Sequence, residues 1–241
     1  MIDPHAVDAP NWIVVVGRSN FAKASHSLQQ LLRDLQSLGF AVYTFESRKA
    51  QRAQRMNAWL QALWGGAVVR WSSQVRAGRW LQKFLKGLWR LAHPSGWDFS
   101  RLKGQMANDV AAMELRQLLQ AWQQRWPERR VNVLTHSAGG IVASWVEDQP
   151  NLRRMVCFGY PFKHPQMPEE PFRTAHLQHL RKPVLMIQGL YDEYGSAQYA
   201  QHNYKLSNSI RLVSIDTDHN CDDLPPDEYQ RTLRLVRAFL N

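Results

Sequence analysis

Six short apolar runs, with stretches of helical periodicity between them, do most to restrict the fold of this chain. The runs are "NWIVVVG", "FAVYTFES", "VNVL", "RRMVCFGY", "PVLMIQG" and "IRLVSID". Several hold four or more apolar residues in succession, as in "WIVVV", "MVCF" and "VLMI", so both faces of those strands must be covered. Phe21 to Leu38 places Phe21, Leu28, Leu31, Leu32, Leu35 and Leu38 at helical spacing, and Gly39 closes that helix. Met106 to Trp126 does the same with Val110, Met113, Leu118, Leu119, Trp122 and Trp126. Further helices are expected from Gly140 to Glu147, over "TAHLQHL", over "SAQYAQHNYKL" and from about Asp227 to Leu240. Strands that alternate with helices predict an α/β fold, a mostly parallel sheet with helices on both faces.

At 241 residues the chain suits one α/β domain, 1–241, carrying an insertion. A core of this size needs no disulfide staples. The two cysteines, Cys157 in an apolar strand and Cys221 in a polar loop, fit a reducing compartment, so a cytoplasmic protein is expected. "MIDPHAVDAP" lacks a basic stretch followed by an apolar one, which argues against a secretory signal. No apolar run approaches the roughly 20 residues that span a bilayer.

In open α/β sheets, function gathers at the carboxyl ends of the strands. After "VNVL" comes Thr135-His136-Ser137-Ala138-Gly139-Gly140. A Ser on a sharp strand-to-helix turn is the arrangement of a nucleophile elbow, with Thr135 where Gly is usual. Ser is also a favoured helix N-cap, so the motif alone leaves two readings. Later strands deliver candidates to the same edge: Asp192 in "LYDEYGS" and His219 in "TDHNCDD". Ser, Asp and His thus follow three strands in the chain order of an α/β-hydrolase triad. His219 would take the proton of Ser137, and Asp192 would fix its tautomer. Oxyanion donors are expected from the N–H of Ala138 and from Arg18 or Ser19 in "GRSN". Glu193, Asp216, Asp218, Asp222 and Asp223 compete for the acid role, and Cys221 could mimic a thiol nucleophile. His176, His179 and His202 read as surface or packing residues. No metal-ligand spacing and no phosphate-cradling glycine loop appears, so no cofactor or metal is expected.

These stretches also resemble a known family. "LTHSAGG", "CFGYPFKHPQMPEEPFRTAHLQHLRKPVLMIQGLYDEYGS" and "DHNC" look like the small α/β-hydrolases related to dienelactone hydrolase. More closely, they are similar to a branch that includes a testis-expressed hydrolase-like protein and a chromatin-complex subunit. That branch has a Tyr-Pro-x-x-His-Pro loop, matched here by Tyr160 to Pro165, an Arg-Thr-x-His-Leu helix, matched by Arg173 to Leu177, and a Gln-Gly-x-x-Asp acid loop, matched by Gln188 to Asp192. The resemblance covers mainly Val131 to Cys221. It implies the α/β-hydrolase fold and the triad, with Ser137 as nucleophile. Tyr160, Phe162 and His164 of the first loop are the expected substrate-facing residues. The expected activity is hydrolysis of a small-molecule carboxylic ester through an acyl-enzyme. The alternative is a non-catalytic hydrolase-fold module that binds a membrane or an acidic partner.

The resemblance leaves out residues 48–104, where the charge lies. From Arg48 to Lys103 there are twelve basic residues against one acid, Asp98, a net +11 in a chain whose total is +10. The same segment holds six of the ten tryptophans. Met56, Trp59, Leu60, Leu63 and Trp64 form one apolar stripe, and Gly65-Gly66 makes a hinge. Beyond it, a helix from Val68 to Leu91 would carry Arg79, Lys83, Lys86 and Arg90 on one face and Leu81, Phe84, Leu85 and Leu88 on the other. Four readings follow: a static cap with solvated charges, a lid that docks on an anionic membrane or amphiphilic substrate, a surface for an acidic protein, and a nucleic-acid site. The last is disfavoured because no nucleic-acid-binding module appears. An apolar acyl group is expected in the substrate because the cap is rich in tryptophan.

Overall fold

The computed structural model describes residues 11–17, 25–64, 76–92 and 107–241. They form two compact units, one from the chain up to Phe45 together with Asn108–Asn241, the other Glu46–Ala107. The first is a six-stranded sheet: β1 (Trp12–Val16), β2 (Ala41–Phe45), β3 (Val131–His136), β4 (Leu152–Phe158), β5 (Val184–Gly189) and β6 (Ile210–Ile215). The order is β2-β1-β3-β4-β5-β6, and every neighbouring pair is parallel. The expected α/β architecture is therefore the observed one.

Each strand feeds two cores because successive side chains point to opposite faces. In β1, Trp12, Val14 and Val16 pack on one face with Leu115, Leu119 and Trp122 of α4 (Ala107–Arg125) and Ile141 and Val142 of α5 (Ala138–Ser144). Ile13 and Val15 pack on the other with Leu28, Leu31 and Leu35 of α1 (His26–Ser37) and Tyr229, Val236 and Leu240 of α8 (Pro226–Leu240). Ser25 caps α1, its Oγ accepting the Leu28 N–H at 3.0 Å. The first helical residue, His26, falls five residues after the expected one; residues 18–24, which include Phe21, Arg18 and Ser19, lie outside the described residues.

The expected single helix over "TAHLQHL" is instead a one-turn helix, α6 (Pro171–Thr174), followed by a 3-10 turn, Leu177–His179. Pro171 sets that early start, since proline is tolerated in a first helical turn. The short helix α7 (Ala197–Asn203) precedes β6 and is capped by Ser196.

The second unit contains α2 (Arg48–Trp64) and α3 (Arg76–Ala92). Met56 and Leu60 of the α2 stripe are buried, Trp59 and Trp64 are half-buried, and Leu63 is 53% exposed. Within this unit the Arg52 guanidinium lies over the Trp89 ring, 5.9 Å from its centroid. Residues 65–75 lie outside the described set, and with them the proposed hinge and the first part of the expected Val68–Leu91 helix. No helix among the described residues is long and apolar enough to cross a membrane.

Candidate active site

The topology fixes where a site can form. The chain runs from β1 out to β2 and then returns to the other side of β1 as β3. Such a switch in strand order opens a crevice at the carboxyl ends of the strands. Ser137 lies one residue beyond β3, at that edge.

Ser137 has φ 54° and ψ −129°, a backbone conformation that a non-glycine residue rarely adopts. It stands at the N-cap position of α5, yet its side chain makes no capping bond. The Oγ instead lies 2.9 Å from His219 Nε2. The geometry therefore separates the two readings of this serine: its hydroxyl faces an imidazole and leaves the helix amides alone. The turn is held by the Ser137 N–H donating to the Phe158 carbonyl at 3.0 Å and the Gly140 N–H donating to the Ser137 carbonyl at 2.8 Å. A Cβ at Gly139 would stand 2.1 Å from the Val16 carbonyl oxygen, so only glycine lets α5 pass this close to β1. Thr135, bulkier than the usual glycine, is fully buried, and its hydroxyl donates to the Val156 carbonyl at 3.4 Å. Gly140 leaves room for the Tyr160 ring, whose Cδ2 would stand 2.7 Å from a Cβ there.

His219 lies in the loop after β6 and Asp192 in the loop after β5. His219 Nδ1 is 2.9 Å from Asp192 Oδ1 and 3.1 Å from Oδ2. A carboxylate only accepts, so Nδ1 carries the proton and Nε2 is left to accept from Ser137. The Asp192 side chain is completely buried. It is held by the Tyr194 N–H at 2.8 Å and the Gln188 Nε2 at 3.4 Å. Glu193 and Asp216, the nearest rivals for the acid position, are exposed. Asp218 accepts from the Asn220 N–H at 2.8 Å and shapes the loop around His219.

Three residues at the site were not singled out from the sequence. His136 precedes the serine, and its Nε2 donates to the His219 carbonyl at 2.9 Å. Burial pulls its pKa below the ordinary imidazole value, which keeps it neutral as a support. Gln188 is fully buried and joins two loops: its Oε1 accepts from the Tyr160 N–H at 2.5 Å, and its Nε2 donates to the carbonyls of Tyr160 and Gly195 at 3.0 and 2.6 Å. Tyr194 lays its ring against His219, centroids 4.3 Å apart and planes at 36°. A positively charged imidazole gains from such a neighbour. Of the three, only Gln188 left a signal, its place in the Gln-Gly-x-x-Asp motif.

Other expected site residues fall differently. Tyr160 and Phe162 are fully buried core residues, and the Tyr160 hydroxyl donates to the Arg173 carbonyl at 2.5 Å. Their aromatic bulk is taken up by packing in the core cluster beside the sheet. His164 is half-buried, edge-on to Tyr194 at 5.8 Å. Ala138 opens α5, where the first amides have no acceptor within the helix. Arg18 and Ser19 lie outside the described residues. Cys221, expected in a polar loop, is buried, and burial pushes its thiol up to about 12, far from a thiolate nucleophile.

A second serine–histidine pair, Ser144 Oγ to His176 Nε2 at 2.7 Å, imitates the first. The Ser144 hydroxyl already donates to the Ile141 carbonyl at 2.8 Å, so His176 must be the donor in this contact. Burial lowers the His176 pKa to about 4. The pair is structural and lacks a base. Among the described residues no group of three His, Cys, Asp or Glu side chains is placed to hold a metal ion.

A parallel sheet with a strained serine past its central strand and a histidine and carboxylate on the neighbouring loops defines a class, the α/β-hydrolase type. The alpha/beta hydrolase domain family matches residues 100–238, more than half of the chain, and the protein belongs to that family. No curated protein matches the chain in sequence. Among solved structures it is similar to dienelactone hydrolase from Anabaena variabilis, at 17% identity over 96% of this chain and 86% of that one, with a TM-score of 0.54. A predicted CIB-like hydrolase from Thermoplasma acidophilum is similar at 12% identity over 99% and 90%, TM-score 0.54. A zinc-bound cold-adapted esterase from an Arctic intertidal metagenomic library is similar at 11% identity over 97% and 83%, TM-score 0.54. At these identities the likeness is one of fold.

Proposed function

We propose that this protein is a serine hydrolase of carboxylic esters, with Ser137 as nucleophile, His219 as base and Asp192 as its orienting acid. The observation that carries the reading is the unbroken series Ser137 Oγ, His219 Nε2, His219 Nδ1 and buried Asp192, each contact at hydrogen-bond distance. Ser137 Oγ attacks the ester carbonyl carbon while its proton passes to His219 Nε2. The oxyanion is received by the Ala138 N–H and, on this proposal, by an amide of Arg18 or Ser19. His219 returns the proton to the departing alcohol. Water, deprotonated by the same imidazole, then releases the acid and restores Ser137.

An apolar acyl group is proposed from the tryptophan-rich composition of the basic segment. A cytoplasmic setting is proposed from the two cysteines, both free and buried. Placement near the testis-expressed and chromatin-associated branch rests on the three matched motifs alone.

The test is labelling by a fluorophosphonate probe, with p-nitrophenyl esters of rising chain length as substrates. Wild type should label and turn over. Ser137→Ala should lose labelling and about 10⁴-fold or more of turnover. Equal labelling of the two proteins would place the reactive nucleophile elsewhere than Ser137, and no labelling or turnover by a folded wild type would instead support the non-catalytic module.

A further inference from the structure

Helix α3 turns to solvent much of the apolar surface that its sequence carries. Trp80 is 68% exposed, Phe84 50%, Leu88 46% and Leu91 66%. Their spacing of i, i+4, i+8 and i+11 puts them on one line along the helix, with exposed Leu81 beside it. The Trp80 and Phe84 rings are stacked, centroids 5.8 Å apart and planes within 5°. The opposite flank of the apolar arc is used differently. Trp89 is buried under Arg52, and Leu85 is half-buried. The helix therefore has two apolar edges, one packed and one open. Lys83 and Lys86 lie on the remaining, basic side, so the open stripe borders positive charge.

We propose that this open face of α3 docks on an anionic lipid surface. Three alternatives fit this face less well than lipid. A static cap with solvated charges has no use for a row of exposed Trp, Phe and Leu, since soluble proteins rarely expose contiguous apolar patches. A second copy of the chain would bring a segment of net +11 against its equal, and like charge opposes that contact. A nucleic acid would use the charge and the aromatic rings, but Leu88 and Leu91 offer it little. A helix with an apolar stripe, a tryptophan near its edge and flanking lysines fits the headgroup boundary of a bilayer. There the apolar side chains enter the acyl region and the cations meet phosphate. At 1.5 Å per residue α3 is about 26 Å long, enough to lie flat and engage the whole stripe at once. The proposal uses none of the triad residues and holds whether or not the protein hydrolyses esters.

The experiment is co-sedimentation of the full chain with phosphatidylcholine vesicles and with vesicles that also contain phosphatidylglycerol. Wild type should bind the anionic vesicles preferentially, and binding should weaken as salt rises. A Trp80→Ala, Phe84→Ala, Leu88→Ala, Leu91→Ala variant should bind at least about tenfold more weakly, since these side chains supply the buried apolar area. Alanine favours helix, so circular dichroism should show α3 retained in that variant. Lys83→Glu with Lys86→Glu should weaken binding and flatten its salt dependence. Brominated lipid should quench wild-type fluorescence more than that of Trp80→Phe. Ser137→Ala should bind vesicles as wild type does, so failure of the ester reading leaves this result intact.

Four outcomes would overturn the proposal. One is a folded wild type with no preference for anionic vesicles. A second is the alanine variant binding as tightly as wild type. A third is light scattering showing a dimer that the alanine variant dissociates, with no vesicle binding. The last is duplex DNA displacing lipid from wild type while the alanine variant still binds the DNA.

Discussion

In the unit built on the sheet, Leu115, Leu119 and Leu134 are sealed from water, whereas in the helical unit Trp80 and Leu91 stand mostly in it. The two units spend similar residues on opposite ends. In the first, both faces of the sheet find partners: α1 and α8 cover one side of the strands, α4 and α5 the other. The strain at Ser137 can be carried there because the surrounding core over-determines it. In the second, α3 packs one edge through Trp89 and leaves the other open. A rigid scaffold suits chemistry that needs atoms fixed to a fraction of an ångström. An open apolar stripe suits a partner without fixed shape.

That contrast can be broken at four points, the first with the largest expected effect. Asp192→Asn should lower kcat/KM by about 10⁴ through the wrong His219 tautomer, with the fold kept, in a steady-state ester assay. The Lys83→Glu, Lys86→Glu variant should stay within about threefold of wild type on a short soluble ester, since neither lysine belongs to the triad and charge changes outside the core disturb folding little. Comparable losses in both would mean that the division of labour is wrong.

Buried contacts come next. Gly139→Ala drives a methyl group into the Val16 carbonyl, and urea unfolding should show a loss of about 3 kcal/mol or more. Trp89→Ala should cost about as much in the cooperative melting of the helical unit. A Gly139→Ala protein as stable as wild type would show that α5 can move off β1.

The third point is acid sensitivity. The folded-state pKa of His176 is about 4, below the ordinary 6.5, because burial disfavours its charged form. The unfolded state therefore binds the extra proton first. The His176 contribution is fully present above about pH 6.5 and is lost as pH falls towards 4. Allowing for the water that still reaches this half-buried ring, the loss is about 2 kcal/mol. His176→Gln, which keeps a donor for Ser144, should flatten that part of the stability curve measured by denaturation at successive pH values.

The smallest effect should come from Trp80→Ala, which ought to change stability by no more than about 0.5 kcal/mol in thermal melting. A loss like that of Trp89→Ala would mean that the open edge of α3 is covered by something in the protein itself.

The sequence alone determined the sheet, because apolar runs and helical spacing are local signals that depend on near neighbours in the chain. It also marked Ser137, Asp192 and His219, since each follows a strand and parallel strands deliver their ends to one edge. Tertiary structure decided the rest. The hydrogen bonds that choose Asp192 over Glu193 and Asp216 join loops separated by tens of residues, and no local pattern orders three acids by burial. The same holds for Gln188 and His136, whose partners are distant carbonyls. Tyr160 and Phe162 stand in a matched motif, and only packing decides how deeply both are buried. In α3 the periodicity gave an apolar arc and a basic one. Which half of the apolar arc meets protein and which meets water depends on what packs beside the helix, and that is a property of the fold.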